Sequence, residues 1–248
     1  MINTKEVIKK VFVVLLIVIG GQHVNAQLFS KERVQNLQNF DKPRFSWGYI
    51  LGFNSYDFNF DYNNAPEGEE PYLDQDIQVN SSVGFSVGLL GNMRINDYFD
   101  LRLEPMVAFT QRDLTFSGPD FIDQSETFRE VRSTYIHIPL LLKISTKRLN
   151  NFKPFIVGGV STSINLSSNE DNPDDNFAGE FRMTTNTNYY EIGFGVDLYL
   201  YYFKFTPSIR GVFAMSDELV RDNDPASPWT GGIDKMATRG VFINFTFQ

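Results

Sequence analysis

The fold of this protein is decided by the stretch YEIGFGVDLYL, which runs from Tyr190 to Leu200. Every second residue in this stretch is apolar, and the residues between them include Glu191, Asp197 and two glycines. A period of two is the geometry of a β-strand, in which successive side chains point to opposite faces. One face of the strand is therefore apolar and the other carries carboxylates. This pattern predicts the wall of a barrel that has lipid outside and polar side chains inside.

The same alternation recurs along the chain, with turn residues between the runs. It predicts eight strands, at 45–60, 80–95, 100–116, 131–144, 153–166, 188–199, 203–213 and 236–247. Short connections alternate with long polar ones, and in outer-membrane barrels the short turns face the periplasm. The sequence therefore predicts an all-β fold, an eight-stranded antiparallel transmembrane β-barrel of the outer-membrane type with both ends of the chain in the periplasm.

The first residues have the pattern of a secretory signal peptide. Lys5, Lys9 and Lys10 precede an apolar run at 11–19, and Val24-Asn25-Ala26 stands before a predicted cleavage ahead of Gln27. The apolar run is too short to span a bilayer as a helix, which takes roughly 20 residues. We predict a signal peptide at 1–26, a short periplasmic segment at 27–44 and a barrel domain at 45–248. The predicted location is the outer membrane.

Composition argues against several classes of protein. The chain has no cysteine, so its stability cannot come from a disulfide framework. The net charge is -8, and the sequence has no basic stretch with interleaved aromatic residues. We therefore predict no nucleic-acid partner. The two histidines are His23, within the predicted signal peptide, and His137, and no nucleophile motif accompanies them. We predict no enzymatic activity, no catalytic residues and no cofactor.

Charged residues on the polar phase of the strands are predicted to lie inside the barrel. They are Arg94, Arg102, Glu104, Arg132, Glu191, Asp197, Lys204 and Arg210. An eight-stranded lumen is only wide enough for side chains to fill, so we expect these charges to pair in a packed core. The competing interpretation is a polar conduit or proton relay.

Two of the long connections are acidic. Glu67, Glu69, Glu70, Asp74 and Asp76 crowd the first, and residues 170–180 carry a second group. Clustered oxygen ligands can bind calcium, but the run at 171–176 lacks the glycine and the distant glutamate of an EF-hand loop. We therefore predict no metal site, and the sequence leaves open whether these loops bind a surface ligand.

The segment before the first strand contains Arg33, Val34, Leu37 and Phe40 near one face of a possible helix. It has two interpretations, a tail or short helix that plugs the barrel mouth, and a peptide that docks on a periplasmic or membrane partner.

The block from Glu32 to Arg44, followed by the runs at 47–54 and 56–58, resembles the start of the PorT family, called SprT in gliding bacteria. The resemblance extends from about Phe29 to Phe247. It implies an outer-membrane barrel of the type IX secretion system of Bacteroidetes, which supports cargo export and, where present, gliding motility. The implied partners are other secretion-system proteins of the outer membrane or periplasm, besides the lipid bilayer. The contact surface preferred for them is Glu32, Arg33, Leu37, Phe40, Asp41 and Arg44.

A filled barrel cannot itself pass folded cargo, so the predicted role is accessory and depends on protein contacts. The alternative is a small general outer-membrane barrel that acts in adhesion or solute passage, for which the surface loops would matter instead.

Overall fold

The computed structural model of the protein describes residues 34–62, 76–117, 124–225 and 227–248. The predicted signal peptide lies outside these residues, as do Glu32, Arg33 and most of the first acidic loop. The described strands are β1 (Phe45–Tyr62), β2 (Asp76–Ser81), β3 (Val83–Arg94), β4 (Phe99–Leu103), β5 (Met106–Ser117), β6 (Phe128–Ser145), β7 (Phe152–Asn165), β8 (Asn186–Tyr199), β9 (Lys204–Ala214) and β10 (Ile233–Phe247). A helical turn at Gln124–Thr127 and a 3-10 turn at Asn176–Ala178 are the helical elements of the described residues.

These segments form one closed antiparallel ring. β1 pairs with β10, and the ladder continues through β9, β8, β7 and β6. β6 pairs with β4 and β5, these two pair with β3, and β3 returns to β1. Tyr49 of β1 accordingly faces Phe247 on one side and Leu89 on the other. The predicted fold class is confirmed: the chain is an eight-stranded antiparallel barrel.

Two of the eight predicted strands are each broken into two segments. The break at Ser82 separates β2 from β3, and the break at Glu104 and Pro105 separates β4 from β5. Proline has no amide hydrogen to donate to a neighbouring strand. Instead its carbonyl accepts from Leu89 N–H at 2.9 Å, and Glu104 N–H donates to Pro139 at 3.1 Å. The partner of β3 thus changes from β4 to β5 at this point.

The two faces of the wall differ in the way the alternation predicts. On β8, Ile192 and Phe194 are 65% and 61% exposed, whereas Glu191 and Asp197 are 3% and 1% exposed. Similar apolar side chains cover the outside of the other strands, among them Leu51, Val87 and Ile243. The barrel therefore has an apolar outer band and an interior that is largely closed to solvent. No helix in the described part of the chain is long and apolar enough to cross a membrane.

The connections divide the barrel into two ends. Short links at 95–98, 146–151 and 200–203 lie at one end together with residues 34–44 and Gln248, and we call this the turn end. The opposite end, the loop end, carries the long connections, of which 166–185 and 215–232 are described apart from residue 226. Beneath the loop end lies an apolar cluster that includes Phe58, Leu114, Phe181, Trp229 and Met236.

Candidate functional site

The middle of the barrel contains a network of buried ionisable side chains, contributed by β4, by the break that follows it, and by β6, β8 and β9. Glu104 pairs with Arg102 at 2.8 Å and with Arg210 of β9, also at 2.8 Å. Arg210 lies 3.5 Å from Glu191 of β8, whose other oxygen is 2.8 Å from His137 Nε2 on β6. Each of these side chains is at most 5% exposed. The charges therefore compensate one another out of contact with water.

A second buried pair lies nearer the turn end. Lys143 Nζ of β6 donates to Asp197 Oδ2 at 2.6 Å, and the Thr206 hydroxyl donates to Asp197 Oδ1 at 2.8 Å. The Lys143 ammonium also lies 4.2 Å from the centre of the Phe155 ring. Both oxygens of the carboxylate thus have donors, which is what a buried charge requires.

Towards the loop end the interior changes to aromatic packing. Tyr56, Tyr135, Tyr189 and Phe242 form a buried cluster, and Arg112 lies in it with its guanidinium 3.9 Å from the Phe58 ring. Arg112 is 0% exposed, and it donates to Tyr135 OH at 2.8 Å and to Thr238 Oγ1 at 3.2 Å. Side chains that line an open pore would be in contact with water. These are not, so the geometry is that of a packed core.

The turn end is covered by residues 34–44, which we call the N-terminal block. The Asn36 side chain donates to the Tyr199 carbonyl at 3.0 Å, and Tyr199 OH donates to Asp41 Oδ2 at 2.5 Å. Arg148 stacks on Tyr199, 3.6 Å from its ring centre, and donates to the carbonyls of Asn36 and Leu37. The block is therefore bound across the mouth of its own barrel.

The loop end is covered by a structure that we call the cap, formed by 166–185, 215–225, 227–232 and the turn at Gln124–Thr127. Asp222 accepts from the Asn176 side chain at 3.0 Å and from Ser227 Oγ at 2.5 Å. Trp229 Nε1 donates to the Glu126 carbonyl at 2.9 Å, and the Trp229 and Phe177 rings meet edge to face at 4.9 Å. These bonds connect three separate connections into one unit.

Glu218 joins the cap to the barrel. Its side chain is fully buried and accepts from Tyr189 OH at 2.7 Å and from Thr238 N–H at 2.6 Å. At the edge of the cap, hydrogen bonds from the side chain and the backbone of Thr185 hold the pKa of the exposed Glu170 carboxyl below its usual value. Glu170 remains ionised as the pH falls towards its ordinary pKa, so this contact persists in mildly acidic medium.

Comparison with known proteins identifies the family. A family model described as outer membrane protein beta-barrel domain matches residues 25–220. The chain belongs to this family. An outer membrane protein beta-barrel domain lies in the outer membrane, with its short turns towards the periplasm and its long loops outside the cell. We therefore expect the turn end, with the N-terminal block, to face the periplasm and the cap to face the cell surface.

Solved structures similar to this outer membrane protein beta-barrel domain include three outer-membrane or surface proteins. OprG from Pseudomonas aeruginosa is 15% identical, with 82% of this chain and 93% of that chain covered and a TM-score of 0.42. Neisserial surface protein A is 10% identical, with 82% of this chain and 96% of that chain covered and a TM-score of 0.41. AlkL in lipid bilayers is 12% identical, with 88% of this chain and 92% of that chain covered and a TM-score of 0.39. No curated protein matches the sequence.

Six of the eight predicted interior charges of this beta-barrel domain are buried inside it: Arg102, Glu104, Glu191, Asp197, Lys204 and Arg210. The prediction is wrong for Arg132, whose side chain is 72% exposed on the outer face and pairs with Glu130. β6 extends past the apolar band at the loop end, where the outer face is also polar. Arg94 lies at the rim of the turn end rather than in the middle, and it contacts Asp97 and the Asp41 carbonyl.

The sequence reasoning missed Lys143 and Arg112 as interior charges and His137 as an interior polar side chain. All three have the inward phase of their strands, and all are at most 3% exposed. The signal was present in β6, where His137 and Lys143 share odd numbering with Ser133 and Ser145, but Tyr135 and Leu141 in the same phase conceal it. Among the described residues, no group of three or more His, Asp or Glu side chains is arranged to hold a metal ion.

The residues predicted to contact a partner divide into two groups. Leu37, Phe40 and Asp41 are half-buried against the barrel domain, whereas Arg44 is exposed. Glu32 and Arg33 lie outside the described residues. Residues 34–44 contain turns, with Phe40 N–H donating to the Leu37 carbonyl at 3.0 Å, and the expected helical face is wrong for this part of the block.

Replacing Arg148 by alanine is expected to loosen the N-terminal block. The variant loses the donors to Asn36 and Leu37 and the stack on Tyr199, which together stabilise the docked state by about 1–3 kcal/mol. Proteinase K should then cleave the block roughly tenfold faster, because local opening exposes it. Lys147→Ala is the matched control, since Lys147 is exposed on the same turn. Equal cleavage rates in the two variants would contradict the docking role of Arg148.

Replacing Glu218 by alanine is expected to detach the cap from the barrel. Thr238 N–H and Tyr189 OH both lose a buried acceptor, at a cost of about 1–3 kcal/mol. Hydrogen exchange at the Thr238 amide should accelerate, and the effect should extend into 215–225. Asp171→Ala, at an exposed position of the cap, serves as the control and should leave the Thr238 exchange rate unchanged. If hydrogen exchange at Thr238 stays slow in Glu218→Ala, Glu218 does not hold the cap to the barrel.

Proposed function

We propose that this protein is a nonenzymatic surface protein of the outer membrane, which acts in adhesion by presenting its cap to a partner outside the cell. The observation that carries the proposal is the construction of the cap. Asn176, Asp222 and Ser227 are buried there and bonded to one another, although they belong to two different surface connections. A loop that served only to join two strands would not need such a network.

Solute passage through the lumen has less support. The interior is occupied from the Lys143–Asp197 pair at the periplasmic side to the aromatic cluster around Tyr56 and Phe242. The apolar cluster beneath the cap and the N-terminal block then cover the two ends. A solute would have to displace a buried ion pair, which is costly.

The outer surface of the cap has an aromatic anchor among acidic side chains. Phe177 is 59% exposed, although its edge-to-face contact with Trp229 holds it in place. Glu170, Asp171 and Asp174 are exposed on the same connection. Aromatic side chains held rigidly at a surface dominate many binding interfaces, and charge complementarity selects the partner. The fitting partner is therefore a basic protein surface with an apolar pocket.

Attachment assays test this proposal. A strain that lacks the gene is complemented with the wild type, with Phe177→Ala, or with Leu166→Ala as the control for an equally exposed side chain. Attachment is scored on wells coated with histone, a basic protein, and with albumin, an acidic one. We expect wild type and Leu166→Ala to restore attachment to histone and Phe177→Ala to reduce it roughly tenfold. Equal attachment by all three strains would overturn the adhesion role.

Conductance separates adhesion from solute passage. Purified protein in a planar bilayer should give no stable open channel, because the lumen is packed along its length. A steady conductance would instead favour solute passage, provided that it disappears when folding is abolished by boiling. The measurement uses the full mature chain, so that the N-terminal block is present.

A second candidate is the accessory role in type IX secretion that the resemblance to PorT and SprT implies, with secretion-system proteins as partners. The observation that favours it is the N-terminal block, whose Val34 is 78% exposed on the periplasmic side while its neighbours are bonded to the barrel. Deleting residues 27–44 should leave a heat-modifiable barrel in the membrane and abolish secretion. Val34→Asp should weaken secretion without releasing the block, and normal secretion from the deletion strain would refute this candidate.

A further inference from the structure

A groove of about 780 Å³ lies at the periplasmic rim, where the N-terminal block enters β1. It is lined by Lys42, Arg44, Met93, Arg94, Ile95 and Tyr98, with Asn96 and Asp97 completing it. Three cations thus surround a groove that contains one carboxylate. Exposed Phe45, Ile95 and Tyr98 mark this level as the interface between lipid and water, where aromatic side chains concentrate in barrels.

The cations of the groove differ in how they are used. Arg94 contacts Asp97 and the carbonyls of Asp41 and Asn96, so its guanidinium is occupied within the protein. Within the described ranges, no carboxylate pairs with the side chains of Lys42 or Arg44, and both are exposed. The backbone of Arg44 is nevertheless fixed, because its carbonyl accepts from Arg94 N–H at 2.7 Å. Two available cations therefore lie at the rim where β1 begins, and the backbone of one of them is bonded to β3.

An apolar path leads from this groove up the outside of the wall. Along the seam between β1 and β3, Phe45 faces Met93, Trp47 faces Gly91 and Tyr49 faces Leu89. Gly91 has no side chain, and a Cβ there would lie 3.1 Å from the Trp47 ring, which extends across it. Above Leu89 the wall has an apolar hollow of about 820 Å³, lined by Val87, Pro105, Val107 and Ile136 among others. The strand break at Pro105 lies in this hollow.

We propose that the β1–β3 seam is a binding site for one anionic phospholipid of the periplasmic leaflet. Its phosphate contacts Lys42 and Arg44, which are the donors that phosphate oxygens prefer. One acyl chain passes along the exposed Trp47 ring to the hollow at Pro105. The site joins a cationic rim to an apolar groove, and a phospholipid with net negative charge has the same arrangement of charge and chain.

Native mass spectrometry tests this site on the full mature protein, delipidated in a zwitterionic detergent. The probes are phosphatidylglycerol and phosphatidylcholine with the same acyl chains, and glycerol phosphate as the headgroup alone. We expect one phosphatidylglycerol to be retained, and the double variant Lys42→Gln with Arg44→Gln to weaken its binding roughly 30-fold. The control Lys147→Gln with Lys235→Gln removes the same charge elsewhere and should bind like the wild type.

Three outcomes would overturn the site. The first is equal retention of phosphatidylglycerol by the wild type and the Lys42/Arg44 double variant, when both show the heat-modifiable mobility of a folded barrel. The second is equal affinity of the wild type for phosphatidylcholine. The third is displacement of the lipid by millimolar glycerol phosphate, since the acyl chain would then contribute nothing.

Discussion

Replacing Arg210 by methionine is expected to destabilise the barrel by about 3–5 kcal/mol, because it leaves two buried carboxylates without their shared cation. Arg210 lies between Glu104 and Glu191, at 2.8 Å from the first and 3.5 Å from the second. Methionine has a similar length and is apolar, so the variant leaves little empty space. The loss of stability therefore reports the missing cation and not a cavity.

The free energy of unfolding in urea, measured in liposomes by the heat-modifiable band, tests this prediction. Arg132→Gln is the control, and because Arg132 forms an exposed pair it should cost about 0–1 kcal/mol. In the double variant Glu191→Gln with Arg210→Met, one of the two carboxylates that had paired with Arg210 is replaced by a neutral amide. Its destabilisation should be smaller than the sum of the two single variants by about 1 kcal/mol or more. Strict additivity would show that the two groups do not interact.

Replacing Phe194 by lysine should cost about 2–4 kcal/mol, which is the penalty for a cation on the lipid face near the middle of the bilayer. Phe194 is the middle one of the five outward-facing residues that run from Tyr190 to Leu198 on β8. It is 61% exposed, and its register partners are Ile156 of β7 and Ile209 of β9. A lysine there has apolar neighbours on both sides and must extend its ammonium towards one interface.

The measurement is again urea unfolding in liposomes, compared with Asn186→Lys. Asn186 lies on the same strand and the same face, but at its exposed loop end, where a lysine should cost about 0–1 kcal/mol. Both variants add one positive charge to β8, so their difference reports depth in the membrane. If the two variants are equally stable, Phe194 does not face the lipid core.

The strands were predictable because lipid outside and charge inside make the alternation unusually sharp, as exposed Ile192 beside buried Glu191 illustrates. The strand breaks were not. Pro105 has the outward, apolar phase of its strand, and there it resembles any other apolar residue in contact with lipid. Its effect is on hydrogen bonding, since β3 changes partner at this residue. A pattern of side-chain polarity contains no information about that.

The buried charges were predictable where a strand lies within the lipid. The prediction failed where a strand extends beyond the lipid. Glu191 and Asp197 are surrounded by apolar outward residues, so their phase is plain. Arg132 lies above the apolar band, where both faces of the wall can be polar. The N-terminal block and the cap depend on contacts between distant residues, such as Asn36 with Tyr199, and no local pattern predicts them.

The pairing of Tyr49 with Phe247 has a consequence for the time course of folding. The ring joins the earliest strand to the last one, so the contact that completes it has nearly the greatest sequence separation that the chain allows. Such contacts form slowly, because the entropy cost of closing a long loop comes before the hydrogen bonds that offset it. Until then β1 and the strand that joined the sheet last are both unpaired edges, and their hydrogen-bonding groups can pair with other chains. Aggregation during export should therefore increase with the time for which β1 remains unpaired before β10 joins it.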